Sequence, residues 1–211
     1  MDIIATHLAK ELLKRALIEE TSLEWCIYGI EKRLSTFITW TFLILLGSYH
    51  FGFLQTISFS ICFVSLRKYS NGYHAETYTH CLIFSLILQS ASMTLVRNLY
   101  PEFFIIIWIF SDFVILKIAP VNNNQIHLTL SELSMLKRLV SYILILVNLT
   151  CVILILFPVS KGLSSVLKGL TAALVSDALT LVISVLKNIY RRIFHGNQCK
   201  KASENISRQN D

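Results

Sequence analysis

Apolar residues in this chain come in long blocks divided by short polar stretches, and near the start they repeat with helical spacing. Ala5, Leu8, Ala9, Leu12, Leu13 and Ala16 fall at i, i+3, i+4, i+7, i+8 and i+11, while His7, Lys10, Glu11, Lys14 and Arg15 take the opposite face. The spacing predicts an amphipathic helix over 3–20. It would lie on a membrane surface or pack on the rest of the protein, because the pattern reports one buried face and not what buries it. The charges within it also break the apolar core that a cleavable signal needs.

From Leu34 to Leu66 the chain is nearly all apolar, interrupted by Gly47, Tyr49, His50 and Gly52. That is too long for one ordinary span of about 20 residues and short for two. Divided near Tyr49, it predicts two helices of about fifteen residues, each roughly 23 Å long, as thin spans or as a hairpin dipping into the bilayer. Further spans are expected over 82–97, 102–119, 139–159 and 165–188, which makes six. The fold class that follows is all-α, a polytopic integral membrane helical bundle. One domain covers 1–195, and a polar tail over 196–211 is expected to lack regular structure.

Composition agrees. The 211 residues are 54% hydrophobic and 15% charged, with mean hydropathy +0.60, whereas soluble domains carry roughly a quarter charged residues. Charge then orients the bundle, because short loops rich in Lys and Arg stay in the cytoplasm. With the N-terminus inside, all of the 19 basic residues except Arg97, Lys161 and Lys168 fall on inner segments. Both termini and the segment 67–81 are therefore expected to be cytoplasmic, in a multi-pass protein. The net charge of +6 needs no nucleic acid, since retention on the inner side and attraction to the lipid bilayer account for it. Spans this short leave open a homodimer in which a second copy completes the site.

The inner segment "KYSNGYHAETYTHC", residues 68–81, is where chemistry concentrates. Asn71-Gly72 signals a turn. Thr77 and Thr79 are able to cap the next helix, which places Cys81 in or near its first turn, where N–H groups and the helix dipole favour negative charge. His74 precedes Cys81 by seven residues. On an unbroken helix the two would stand about 10 Å apart along the axis. A Cys-His dyad thus requires 74–79 to be non-helical and folded back, which the turn residues permit. His74 would then take the thiol proton, Cys81 would attack a peptide carbonyl, and Glu76 would orient the imidazole unless it is a solvated loop charge. The same region offers zinc ligands in His74, Glu76, His80 and Cys81, but there is no CxxC pair and no HExxH helix, so no metal and no other cofactor is expected. The plain alternative is a cysteine acting as a small hydrophobe.

Arg67, Gly72, Tyr73-His74-Ala75 and Cys81 resemble the "R…GGxHA…C" signature of the accessory gene regulator B (AgrB) family, bacterial membrane cysteine endopeptidases that process peptide pheromone precursors. A second, weaker similarity runs from Ala119-Pro120-Val121 through Leu130-Ser131-Glu132 to Lys137-Arg138. Asn71 departs from the pattern, standing where the family usually has the first of two glycines; Asn tolerates the left-handed conformation, so the turn survives. The resemblance implies Cys81 as nucleophile and His74 as its base, in a cysteine endopeptidase of the bacterial cell membrane. It implies an AgrD-like propeptide as substrate, cleaved at its C-terminal tail and cyclised to a thiolactone or lactone for quorum sensing. Arg67 and Lys68 would pair with acidic residues of that tail, or serve only as positive-inside anchors.

Asp112 and Asp177 fall within expected spans, where an ionisable group is expensive. They are read as paired with a neighbour inside the bundle or as sitting near an interface. The alternative function they carry is a small transporter or channel using both carboxylates, with His50 beside a span. Cys26, Cys62 and Cys151 read as ordinary apolar positions, and Cys199 as a chance cysteine in the tail.

Overall fold

The computed structural model describes residues 2–15, 17–72, 77–121, 129–156 and 161–209, the last segment as backbone alone beyond 191. Among them are seven α-helices and no strand: α1 (Asp2–Lys14), α2 (Leu23–Phe51), α3 (Phe53–Ser70), α4 (Tyr78–Asn98), α5 (Pro101–Ile118), α6 (Leu130–Leu156) and α7 (Lys161–Gln209), with a 3₁₀ turn at Glu20–Ser22. The all-α membrane bundle is the observed architecture.

The first helix is shorter than its pattern predicts, ending at Lys14 rather than near residue 20. The reason is packing. Ala5 and Ala9, both fully buried, lie on the helix that packs along α2, and a helix continuing straight into α2 could not fold back on it. Ile3, Ile4 and Leu8 stay exposed.

The apolar block after it divides differently from the expectation. Lys32 and Arg33 do not end an element but lie inside α2, a 29-residue helix, where long basic side chains lay their stems along apolar surface and keep their heads in water. The break comes at Gly52, not Tyr49. Gly52 has φ +89, a conformation glycine adopts without the steric cost of a Cβ. Only this one residue separates α2 from α3, and the two helices pack against each other as a hairpin.

Six spans were expected; among the described residues, four helices are long and apolar enough to cross a membrane, over 20–51, α4, α6 and 162–191. The shortfall lies in α3 and α5. Each has 18 residues, about 27 Å of helix against a hydrocarbon core of about 30 Å. Helix α3 is also polar: Gln55, Thr56, Ser58, Ser60 and Ser70 are buried in it, facing protein rather than lipid. The tail expectation fails too, since the backbone of α7 stays helical to Gln209. Lys, Glu, Gln and Arg, frequent there, are good helix formers, and no proline interrupts them.

Helix α7 is the axis of the bundle. Of its apolar window, 72% is buried, against 17–33% for the other three long apolar helices, and it packs on α3, α4, α5 and α6. Ala172, Ala173 and Ala178 let neighbours come close. Helices α3 and α7 run parallel, with Ser58 Oγ donating to the Val166 carbonyl at 3.3 Å at one end and Ser70 meeting Asp177 at the other. Around this axis lie Phe59 and Phe63, stacked 5.3 Å apart, with Leu66, Met93, Ile115, Val140 and Leu181. The outer faces carry exposed large apolar side chains such as Phe37, Ile87, Ile109, Phe110, Ile145 and Leu146, which suits a bilayer and would be unusual in water.

Candidate active site

The turn after α3 is built by Asn71. It takes φ 51 and ψ 44, the left-handed conformation that closes a helix. Its side chain then does what a glycine could not. Asn71 Nδ2 donates to the Val121 carbonyl at 2.8 Å, while the Val121 N–H donates to the Ser70 carbonyl at 3.1 Å. The two stretches that resemble family motifs are thereby tied to each other across fifty positions of sequence. Asn71 thus keeps the left-handed turn and adds a hydrogen bond that glycine could not make.

The opposite face of the turn rests on α7. Ser70 Oγ donates to Asp177 Oδ1 at 2.9 Å, and Thr180 Oγ1 donates to the Asp177 carbonyl at 2.8 Å. Gly72 sits so close to this turn of α7 that a Cβ on it would stand 2.5 Å from the Thr180 hydroxyl. Gly72 is therefore needed for close approach. Of the residues at this corner, Asn71, Gly72 and Val121 were legible in the sequence; Ser70 and Thr180 were not singled out. A signal existed for Thr180, since it stands three residues after Asp177 and thus on the same helix face.

His74 and Glu76 lie outside the described residues. The chain is described again at Thr77, which caps α4: it has extended backbone, and its hydroxyl accepts from the His80 N–H at 3.3 Å. The same hydroxyl stands 2.7 Å from His80 Nδ1. Capping thus falls to Thr77, and Thr79 lies within the helix. Cys81 occupies the first turn, its N–H donating to the Thr77 carbonyl at 3.1 Å, and its side chain is partly exposed.

Arg67 and Lys68, adjacent in sequence, part company. The half-buried Arg67 places its guanidinium 5.5 Å over the Phe63 ring. Lys68 is exposed, its ammonium 5.1 Å over the Tyr69 ring. Lys68 is thus the one that faces outward from the turn. Asp112 lies beside Asn148 of α6 and Trp108 of its own helix, so both intramembrane carboxylates have polar neighbours inside the bundle. His50 is exposed at the end of α2, edge-on to Tyr49. Among the described residues no three His, Cys, Asp or Glu side chains gather into a metal site.

The family model for accessory gene regulator B matches residues 1–187. The chain belongs to the accessory gene regulator B family. No curated protein and no solved structure matches it. AgrB membership carries a general role in processing the agr pheromone at the membrane, and the apolar helices supply the membrane setting. The match extends over both corner stretches, the one ending in Cys81 and the one containing Val121.

Proposed function

We propose that this AgrB chain is a membrane cysteine endopeptidase that removes the C-terminal tail of an AgrD-like propeptide and promotes cyclisation of the remainder. The observation that carries the reading is the placement of Cys81, partly exposed on the first turn of α4 below the Thr77 cap. Nine positions before it in the chain, α3 ends at a turn built by Asn71 and Gly72.

In this scheme His74 takes the Cys81 proton, and sulfur attacks the carbonyl at the tail junction. N–H groups at the start of α4 stabilise the oxyanion. The C–N bond breaks, the proton passes from His74 to the leaving amine, and the body of the peptide stays on Cys81 as a thioester. A thiol or hydroxyl within the substrate then attacks that thioester, releasing a thiolactone or lactone and restoring the Cys81 thiol. Exchange between thioesters is nearly isoenergetic, whereas forming one from an amide is uphill, so loss of the tail must draw the first step forward. The site works at the cytoplasmic face, with Lys68 placed to meet acidic residues of the tail.

The test is co-expression with a short amphipathic peptide that has a central cysteine or serine and an acidic tail, followed by its mass. Tail loss is expected with the wild type and not with Cys81→Ala or His74→Ala. Continued processing by Cys81→Ala would refute the nucleophile.

A further inference from the structure

Helix α6 carries a cleft of about 390 Å³ lined by Ser134, Lys137, Arg138, Ser141 and Tyr142. These positions are i, i+3, i+4, i+7 and i+8, so they form one stripe of the helix. The two serine hydroxyls donate to backbone, Ser134 to the Ser131 carbonyl at 2.8 Å and Ser141 to the Lys137 carbonyl at 3.0 Å. What remains to meet a ligand is the Lys137 ammonium, the Arg138 guanidinium and the Tyr142 hydroxyl, all of them donors.

Nothing negative answers these charges. No carboxylate lines the cleft, and Glu132, close by in sequence, is taken up by the N–H and hydroxyl of Thr129, each at 2.8 Å. Arg67, Lys68 and Lys117 lie over the rings of Phe63, Tyr69 and Phe113. Among the described residues Lys137 and Arg138 have neither such a ring nor an ion pair.

Depth decides which anion reaches them. From Leu139 to Leu156, its last residue, α6 carries no charged side chain. That run is about 27 Å long at 1.5 Å per residue, close to the hydrocarbon core of about 30 Å. Lys137 and Arg138 thus stand at its edge, level with lipid phosphates, and Tyr142 stands one turn deeper, where amphipathic rings collect. Further along the same stripe Ile145 and Leu149 are exposed, so the cleft opens onto an apolar strip. A free anion or an acidic peptide would use the cations alone, whereas a phospholipid uses the cations and the strip together.

We propose that this cleft binds the headgroup of an anionic phospholipid. Arg138 holds two phosphate oxygens at once and Lys137 adds a point charge. Tyr142 donates to the glycerol oxygens, and an acyl chain lies along Ile145 and Leu149. Neither Cys81 nor its chemistry is involved.

The experiment uses the full chain in detergent, titrated with dioleoylphosphatidylglycerol or dioleoylphosphatidylcholine, with bound lipid counted by native mass spectrometry. Lys137→Gln/Arg138→Gln and its two single variants are compared with Lys10→Gln/Arg15→Gln, which removes the same charge from exposed side chains near the N-terminus.

Each basic side chain near an anionic lipid contributes roughly fivefold in affinity. The wild type is therefore expected to bind phosphatidylglycerol on the order of twentyfold more tightly than phosphatidylcholine. Lys137→Gln/Arg138→Gln should remove that preference, each single variant should lose about fivefold, and Lys10→Gln/Arg15→Gln should stay within about twofold of wild type. If the double variant does not fold, the single ones carry the test. Equal losses in the two double variants, or no loss at Lys137 and Arg138, would overturn the site. Displacement of bound phosphatidylglycerol by millimolar inorganic phosphate, or by a glutamate-rich peptide at the lipid's own concentration, would overturn the lipid as its occupant.

Discussion

Asn71 shows how one side chain changes the terms of a turn. A non-glycine residue in the left-handed region costs roughly 1–2 kcal/mol, and here Asn71 regains about 1 kcal/mol through its hydrogen bond to the Val121 carbonyl. Asn71→Gly keeps the conformation and loses the bond; Asn71→Ala loses the bond and retains the strain. Asn71→Ala is therefore expected to be the least stable in detergent and the slowest in tail release, about 1 kcal/mol below wild type, while Asn71→Gly, which exchanges the bond for relief of strain, stays within about 1 kcal/mol of wild type. An Asn71→Ala variant as stable and active as Asn71→Gly would contradict the left-handed assignment. The sequence motif marked this position as a departure, and only the structure explains why it is tolerated: the acceptor comes from the loop after α5.

At the scale of elements, hydrophobic blocks announced α4 and α5 to within a few residues, but missed the start of α6 and about half of α7, and Thr77 marked the start of α4. Boundaries set by packing were hidden. Helix α1 stops at Lys14 so that Ala5 and Ala9 can lie along α2, and nothing in a pattern of apolar spacing records which partner a face will meet. Lys32-Arg33 misled because a charged pair ends an apolar run without ending a helix. Helix α3 is the clearest case. Its run looked like half of a membrane hairpin, yet its serines, Thr56 and Gln55 are buried by neighbouring helices, so hydropathy could not separate a lipid-facing span from a central one. Asp177 was legible as costly and as paired; that its partner would be Ser70, 107 positions away, was not.

For the whole molecule, the hydrogen bonds that join Ser70 and Asn71 to Val121 bring the ends of α3 and α5 to one side. On the proposed reading, the distribution of basic residues puts that side in the cytoplasm. Lys68→Cys is then expected to react with a membrane-impermeant maleimide only from inside, and Tyr100→Cys, exposed in the α4–α5 link, from outside; the reverse would invert the topology and place the site on the wrong face for a cytoplasmic substrate. The central claim is chemical, however, and is tested most directly by the intact mass of the protein after brief acid quenching with the peptide. The predicted result is an adduct equal to the peptide without its tail, located on Cys81 and released by hydroxylamine, as a thioester would be. Tail release with no adduct at Cys81 under any quench time, or an adduct that survives Cys81→Ala, would contradict it.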